Sequence, residues 1–174
     1  MTQRRIYQTE FPYFVTFRTS GDNPFFEETK YAALLSNIIF QAGKLKGYDI
    51  LSYQIMPDHV HLLVYKTSQA HLSVGARRGK HVSAGAETRA RGFNISQFMY
   101  SVKSYFIRQI RDEDGIMDSI WQKRFYTRII NTDEYFETVI HYIQNNTVKA
   151  ALPDKYRRKP YQYVDWVAIE EIIG

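Results

Sequence analysis

Two periods of apolar residues run through this chain. Tyr13-Phe-Val-Thr-Phe-Arg-Thr19 is dense in aromatic and β-branched residues and stops at Ser20-Gly-Asp-Asn-Pro24, which predicts a strand. From Glu27 to about Gln41 the spacing lengthens: Tyr31, Leu34, Leu35, Ile38 and Ile39 share one helical face, and Gly43 and Gly47 are expected to close the helix. Tyr48–Ile55 predicts a second strand. Met56-Pro-Asp58 predicts a tight connection, because proline sets its own φ and biases the preceding residue toward extended geometry. His59–Tyr65 (HVHLLVY) then predicts a third strand.

Between residues 66 and 94 the pattern breaks. Gly75, Gly79, Gly85 and Gly92 are spread among Ala, Ser and Arg, which predicts a mobile basic loop. Helical spacing resumes from Ile95 to Arg111 through Phe98, Met99, Val102, Phe106 and Ile110. Tyr126–Ile130 predicts a short strand, and Asn131-Thr-Asp-Glu134 reads as a capping box for a helix running to about Gln144 or Asn146. After Pro153 comes a basic, aromatic tail ending in a helix-like Val164–Ile173. Strand, helix, strand, strand, helix, strand, helix is the order of a split β-α-β unit. The expected fold is α+β: a ferredoxin-like (RRM-like) palm, with a central antiparallel sheet and helices on one face. One domain is expected over residues 1–152, with the loop 66–94 inserted, followed by the tail 153–174.

Length and composition narrow the function. A chain of 174 residues with 44% hydrophobic residues is large enough for one well-buried core. No stretch approaches the ~20 apolar residues of a membrane helix, and Met1–Phe11 lacks the pattern of a signal peptide. There is no cysteine, so disulfides, thiolate metal sites and cysteine nucleophiles are excluded, and a metal must bind through His, carboxylate or amide groups. A cytoplasmic protein without membrane partners is expected. The net charge of +5 is unevenly placed: Gly75–Gly92 carries +4 and Asp154–Lys159 carries +3, leaving −2 for the rest. Such patches attract phosphate backbones. Arg77, Arg78, Lys80, Arg157 and Arg158 are the candidate contacts, joined by Lys123 and Arg124 between the aromatic Trp121 and Phe125. Solvated loops are the plainer reading of both patches.

Two constellations carry candidate chemistry. His59 and His61 are two apart on a strand, so both imidazoles leave the same face and could share one divalent ion. A lone H-x-H pair is also what half-buried structural histidines look like. Tyr142 and Asn146 are one turn apart on the last helix, where a phenol and an amide can address one point. An amphipathic core tyrosine and a helix-capping asparagine are the alternatives. Two imidazoles and one oxygen ligand would leave coordination positions open, as catalytic metal sites require. Tyr135 lies seven residues earlier on the same face but has no i+4 amide partner.

Taken together, Met56-Pro-Asp-His-Val-His-Leu-Leu-Val64, Trp121-Gln-Lys-Arg-Phe125, Tyr135 and His141-Tyr-Ile-Gln-Asn-Asn-Thr-Val-Lys149 resemble the single-tyrosine HUH transposases (transposase IS200-like). Within that group they look most like the REP-associated tyrosine transposases. The resemblance runs from about Tyr13 to Leu152. It implies a metal-dependent nickase and strand-transferase acting on single-stranded or hairpin DNA, with Mg2+ or Mn2+ as cofactor. By position it implies His59, His61 and the amide of Asn146 as metal ligands and Tyr142 as nucleophile. A monomer is favoured over a homodimer. One departure stands out: the family often has proline directly after the amide ligand, and here Thr147 follows Asn146. A non-catalytic single-stranded nucleic-acid-binding module and a water-using metal hydrolase are the alternative functions.

Overall fold

The computed structural model describes residues 11–66 and 94–173. Five strands, β1 (Tyr13–Arg18), β2 (Tyr48–Ile55), β3 (His59–Lys66), β4 (Tyr126–Ile129) and β5 (Gln162–Val164), form one sheet in the order β4-β1-β3-β2-β5. Every pairing in it is antiparallel. The first four strands follow the ferredoxin-like order, so the expected α+β palm is present. Helices α1 (Thr29–Lys46) and α2 (Ile95–Asp114) supply its crossovers, followed by α3 (Asp133–Lys149) and α4 (Trp166–Ile173).

The helices do not all lie on one face, and that part of the expectation is corrected. Val15, Phe17, Tyr53, Val60, Leu62 and Val64 pack with α1 and α2 in one core. Phe14, Leu51 and Leu63 pack with Phe136, Val139, Ile140 and Ile143 of α3 and Ile169 of α4 in a second core. The reason lies in β3, which is central and buried at every position from Val60 to Val64, with Leu62 and Leu63 placing apolar side chains on opposite faces. A strand apolar on both sides needs cover on both sides.

Local chemistry sets the helix ends. Asn94 accepts from the Gln97 amide while the Gln97 side chain accepts from the Asn94 amide, a capping box at the start of α2 that the sequence reading passed over. At α3 the cap is Thr132, not Asn131: its hydroxyl accepts from the Tyr135 amide. Helix α3 continues past Asn146 to Lys149. Thr147 keeps the N–H that a proline there would lack, so Asn146 lies inside the helix and does not cap it. Gly47, at φ 70°, ends α1 in the left-handed conformation.

Gly43 lies within α1 and is a packing residue. A Cβ at this position would lie 2.6 Å from the Tyr48 carbonyl oxygen, so the helix approaches the β2 backbone only because no side chain intervenes. Overpacking costs ~1–3 kcal/mol and alanine returns ~1 kcal/mol of helix propensity. Gly43→Ala is expected to lower stability by about 1–2 kcal/mol in urea unfolding. A stabilised variant would show that the helix can withdraw freely.

The region after Pro153 adds a strand the sequence reading did not predict. β5 pairs with β2, and its Gln162 amide bridges the Gln54 side-chain oxygen at 2.8 Å and the Gln144 carbonyl of α3 at 3.2 Å. Gln54 is fully buried, and its own amide donates to the Tyr156 carbonyl at 2.9 Å. One glutamine thereby ties β2, β5 and the segment before β5 together, and Gln162 links them to α3.

Candidate active site

The site begins with strand register. β1 and β3 pair so that Thr16 faces His61 and Arg18 faces His59. Directly opposed residues of an antiparallel pair leave the sheet on the same side. Phe14, Thr16, Arg18, His59, His61 and Leu63 therefore share the face covered by α3.

Both imidazoles are held through Nδ1. Thr16 Oγ1 lies 2.9 Å from His61 Nδ1, and Asp58 Oδ1 lies 2.6 Å from His59 Nδ1. Partners of this kind orient a ring and leave its Nε2 for the site. Asp58 is held in turn by Arg18, whose guanidinium donates to Oδ2 at 2.6 Å. Burial by itself would raise the Asp58 carboxyl, but the hydrogen bonds from Arg18 and His59 outweigh it and hold it below the usual carboxylate range. The His59 and His61 rings stand edge to face, 4.8 Å between centroids.

His61 is 4% exposed and lies stacked on Phe14, 5.6 Å between centroids. Burial pushes its pKa down to about 3, and the positive charges of His59 and Arg18 act in the same direction. At neutral pH the ring is uncharged, with a lone pair available.

Helix α3 brings the phenol to that lone pair. Its apolar stripe, Phe136, Val139, Ile140 and Ile143, packs on the sheet and leaves Tyr142 at its margin, 39% exposed. Tyr142 Oη lies 3.3 Å from His61 Nε2, and Phe14 meets the Tyr142 ring edge-on. With Nδ1–H donating to Thr16, Nε2 accepts from the Tyr142 hydroxyl. Asn146, one turn on, has a buried amide nitrogen with no hydrogen-bond partner. That nitrogen is a donor and holds no cation; the atom of this amide that can ligate a metal is its oxygen. Two imidazoles and an amide oxygen suit a divalent cation. Among the described residues no three His, Cys, Asp or Glu side chains converge to hold a metal, so the donor set here is these imidazoles plus the amide.

The other candidate residues separate. Lys123, Arg124, Arg157 and Arg158 are exposed, and Arg157 is paired with Asp154 at 2.6 Å. Arg77, Arg78 and Lys80, with nearly all of the 66–94 loop, lie outside the described residues. Trp121 is buried in the α1/α2 core and bridges to Thr19, so its ring is not available to a base. Tyr135 packs against the second core. Phe14, Thr16, Arg18 and Asp58 were not anticipated as parts of the site. For Phe14, Thr16 and Arg18 the sequence signal is the alternation of β1, which does not reveal the strand it faces; for Asp58 it is adjacency to His59.

Residues 8–89 match the family model described as "Transposase IS200 like", so that stretch of the chain is similar to the IS200-like transposases. The match includes His59 and His61 and ends before Tyr142 and Asn146. The fold is similar to the solved structure of a REP-associated tyrosine transposase bound to a REP hairpin, at a TM-score of 0.63 and 18% identity over 93% of this chain and 81% of that one. A crystal structure of a candidate transposase from Deinococcus radiodurans matches at 18% identity over 83% of this chain and 97% of that one. Its TM-score of 0.49 is too low to bear on the fold. No curated protein matches in sequence. Among the described residues no helix is long and apolar enough to cross a membrane.

The buried neutral His61 has a measurable consequence. Its folded-state pKa lies below the unfolded value, so the unfolded chain binds the extra proton as pH falls below 6.5. The stability it contributes is present above 6.5 and is lost progressively as pH falls toward about 3. Between pH 6.5 and about pH 5, before carboxylates titrate, unfolding in urea should show stability falling in wild type and falling less in His61→Gln. Parallel slopes in the two proteins would mean that His61 is hydrated and titrates normally.

Proposed function

We propose that this protein is an HUH-type tyrosine transposase that nicks and rejoins single-stranded DNA through a covalent 5′-phosphotyrosine on Tyr142, probing hairpin DNA as its substrate. The observation that carries this reading is the approach of Tyr142 Oη to His61 Nε2, which joins two motifs 81 residues apart in the chain. The hairpin enters from the similar REP-associated transposase, whose structure holds one.

His59, His61 and Asn146 are the residues that would hold a Mg2+ or Mn2+ ion. When bound, such an ion neutralises charge on the scissile phosphate. The chain's own groups do the rest. His61 Nε2 positions the Tyr142 hydroxyl in the ion-free site; an ion held there would occupy that nitrogen's single lone pair, so the phenol proton passes to solvent water. The phenol oxygen attacks phosphorus, the bond to the 3′-oxygen breaks, and that oxygen leaves as a free 3′-hydroxyl. The phosphoester is conserved in the tyrosine adduct, so a DNA 3′-hydroxyl can reverse the step and join strands without an external energy source. A protonated phenol is a weak nucleophile at neutral pH and needs such activation.

The test is covalent trapping. Labelled single-stranded hairpins from the DNA flanking the gene, incubated with Mg2+ or Mn2+, should give a protein–DNA band on a denaturing gel. That band should vanish in Tyr142→Phe, in His59→Ala and without metal, while Tyr142→Phe keeps binding DNA. DNA cut without an adduct would identify water as the nucleophile, and binding with neither cutting nor adduct would favour a non-catalytic binding module.

His61 and Tyr142 of the same chain meet, which supports a monomer with a complete site. Mixing Tyr142→Phe with His59→Ala should therefore leave adduct formation at background. Recovery of activity in the mixture would mean that two chains exchange α3 and share their sites.

A further inference from the structure

The register that sets Thr16 beside His61 continues one strand further. On its other side Thr16 faces Tyr126 of β4, and Phe14 faces Arg128. Tyr126 and Arg128 therefore leave the sheet on the face that carries His61, on a strand with no neighbour beyond it among the described residues. Strands lie ~4.8 Å apart, so Tyr126 stands about 10 Å from His61, close to the nucleotide beside a phosphate held at the histidines.

Three features distinguish this pair from ordinary edge residues. Tyr126 is 44% exposed, although large aromatic residues on the same sheet such as Phe14 and Tyr53 are buried. The Arg128 guanidinium lies 5.5 Å from the Tyr126 ring centroid, and its Nε donates to the Tyr126 hydroxyl. Arg18 on the neighbouring strand is matched by Asp58 and Asp22, whereas Arg128 has no carboxylate partner among the described residues. The α3 stripe packs on Phe14, Leu51 and Leu63 of β1, β2 and β3 and on Ile130 just past β4, and none of the four β4 residues belongs to that core. An exposed ring with an unmatched cation beside it is the combination that holds unpaired bases.

We propose that Tyr126 and Arg128 form a platform for the unpaired nucleotide next to the cleaved phosphate, the base stacking on the Tyr126 ring and Arg128 contacting the backbone. The inference rests on the single-strand cleavage reading and specifies where that strand lies. Stacking of this kind tolerates any base, so an oligothymidylate serves as probe.

Anisotropy of a labelled oligothymidylate, measured without metal so that nothing is cut, should show Tyr126→Ala binding at least about 5-fold more weakly than wild type. Tyr126→Phe should remain within about 2-fold, because it keeps the ring. Arg128→Ala should lower the dependence of log affinity on log salt by about one. Tyr100→Ala, an exposed ring on α2 against the opposite face, should bind as wild type. In wild-type protein, a 5-iodouracil placed next to the cleavage site should photocrosslink to the peptide containing Tyr126, a result independent of how any variant folds. The platform is overturned if Tyr126→Ala binds as wild type, or if crosslinks map only elsewhere. Either result with the Tyr142 adduct still forming would leave the cleavage reading standing. Wild-type protein that binds neither oligothymidylate nor hairpin would overturn both.

Discussion

The site depends on one constraint, the antiparallel pairing of β1 with β3. Thr16 opposite His61 and Arg18 opposite His59 place on one face the groups that hold both imidazoles. Side chains alternate along a strand, so a slip of one residue would put Val15 or Phe17 in those positions and turn the histidines' support into the other core. That slip is opposed from the other side of the sheet, where Val15, Phe17, Val60 and Leu62 are buried against α1 and α2. The hydrophobic core on one face thus sets the polar register on the other.

The second face has a different task. Helix α3 must cover Phe14, Leu51 and Leu63 while leaving Tyr142 partly accessible at its margin. The apolar stripe from Phe136 to Ile143 holds the helix down, and the Gln54–Gln162–Gln144 bridge fixes it through β5. A phenol 3.3 Å from an imidazole is useful only if neither group drifts, and both are carried on regular elements and not on loops. Burial also keeps His61 neutral, which a ligand at this position requires.

Much of the site was legible in the chain because it follows from local periodicity. The i,i+2 spacing of His59 and His61 places both on one face of any strand, and the i,i+4 spacing of Tyr142 and Asn146 does the same on a helix. The four-strand palm was readable from alternating strand and helix patterns. What could not be read was every relation between distant segments. Thr16 and Arg18 look like ordinary strand residues until the register is known. The strand Gln162–Val164 is too short to show alternation, and it exists because β2 offers an edge to pair with. The placement of α3 on the opposite face was missed for a related reason: Val60–Val64 is a run of buried residues that periodicity cannot assign to one side or two.

By itself, then, the sequence determined which residues can stand on a common face, because that is set by the geometry of 2.0 and 3.6 residues per repeat. It also determined the elements up to α3 and their order. Only the tertiary structure decided which faces meet: that His61 is buried and neutral, that Tyr142 reaches it, and that Asp58 links His59 to Arg18. Those relations depend on strand register and helix packing between segments far apart in the chain. Both are set by how the two cores close, and no local pattern of residues encodes that closure.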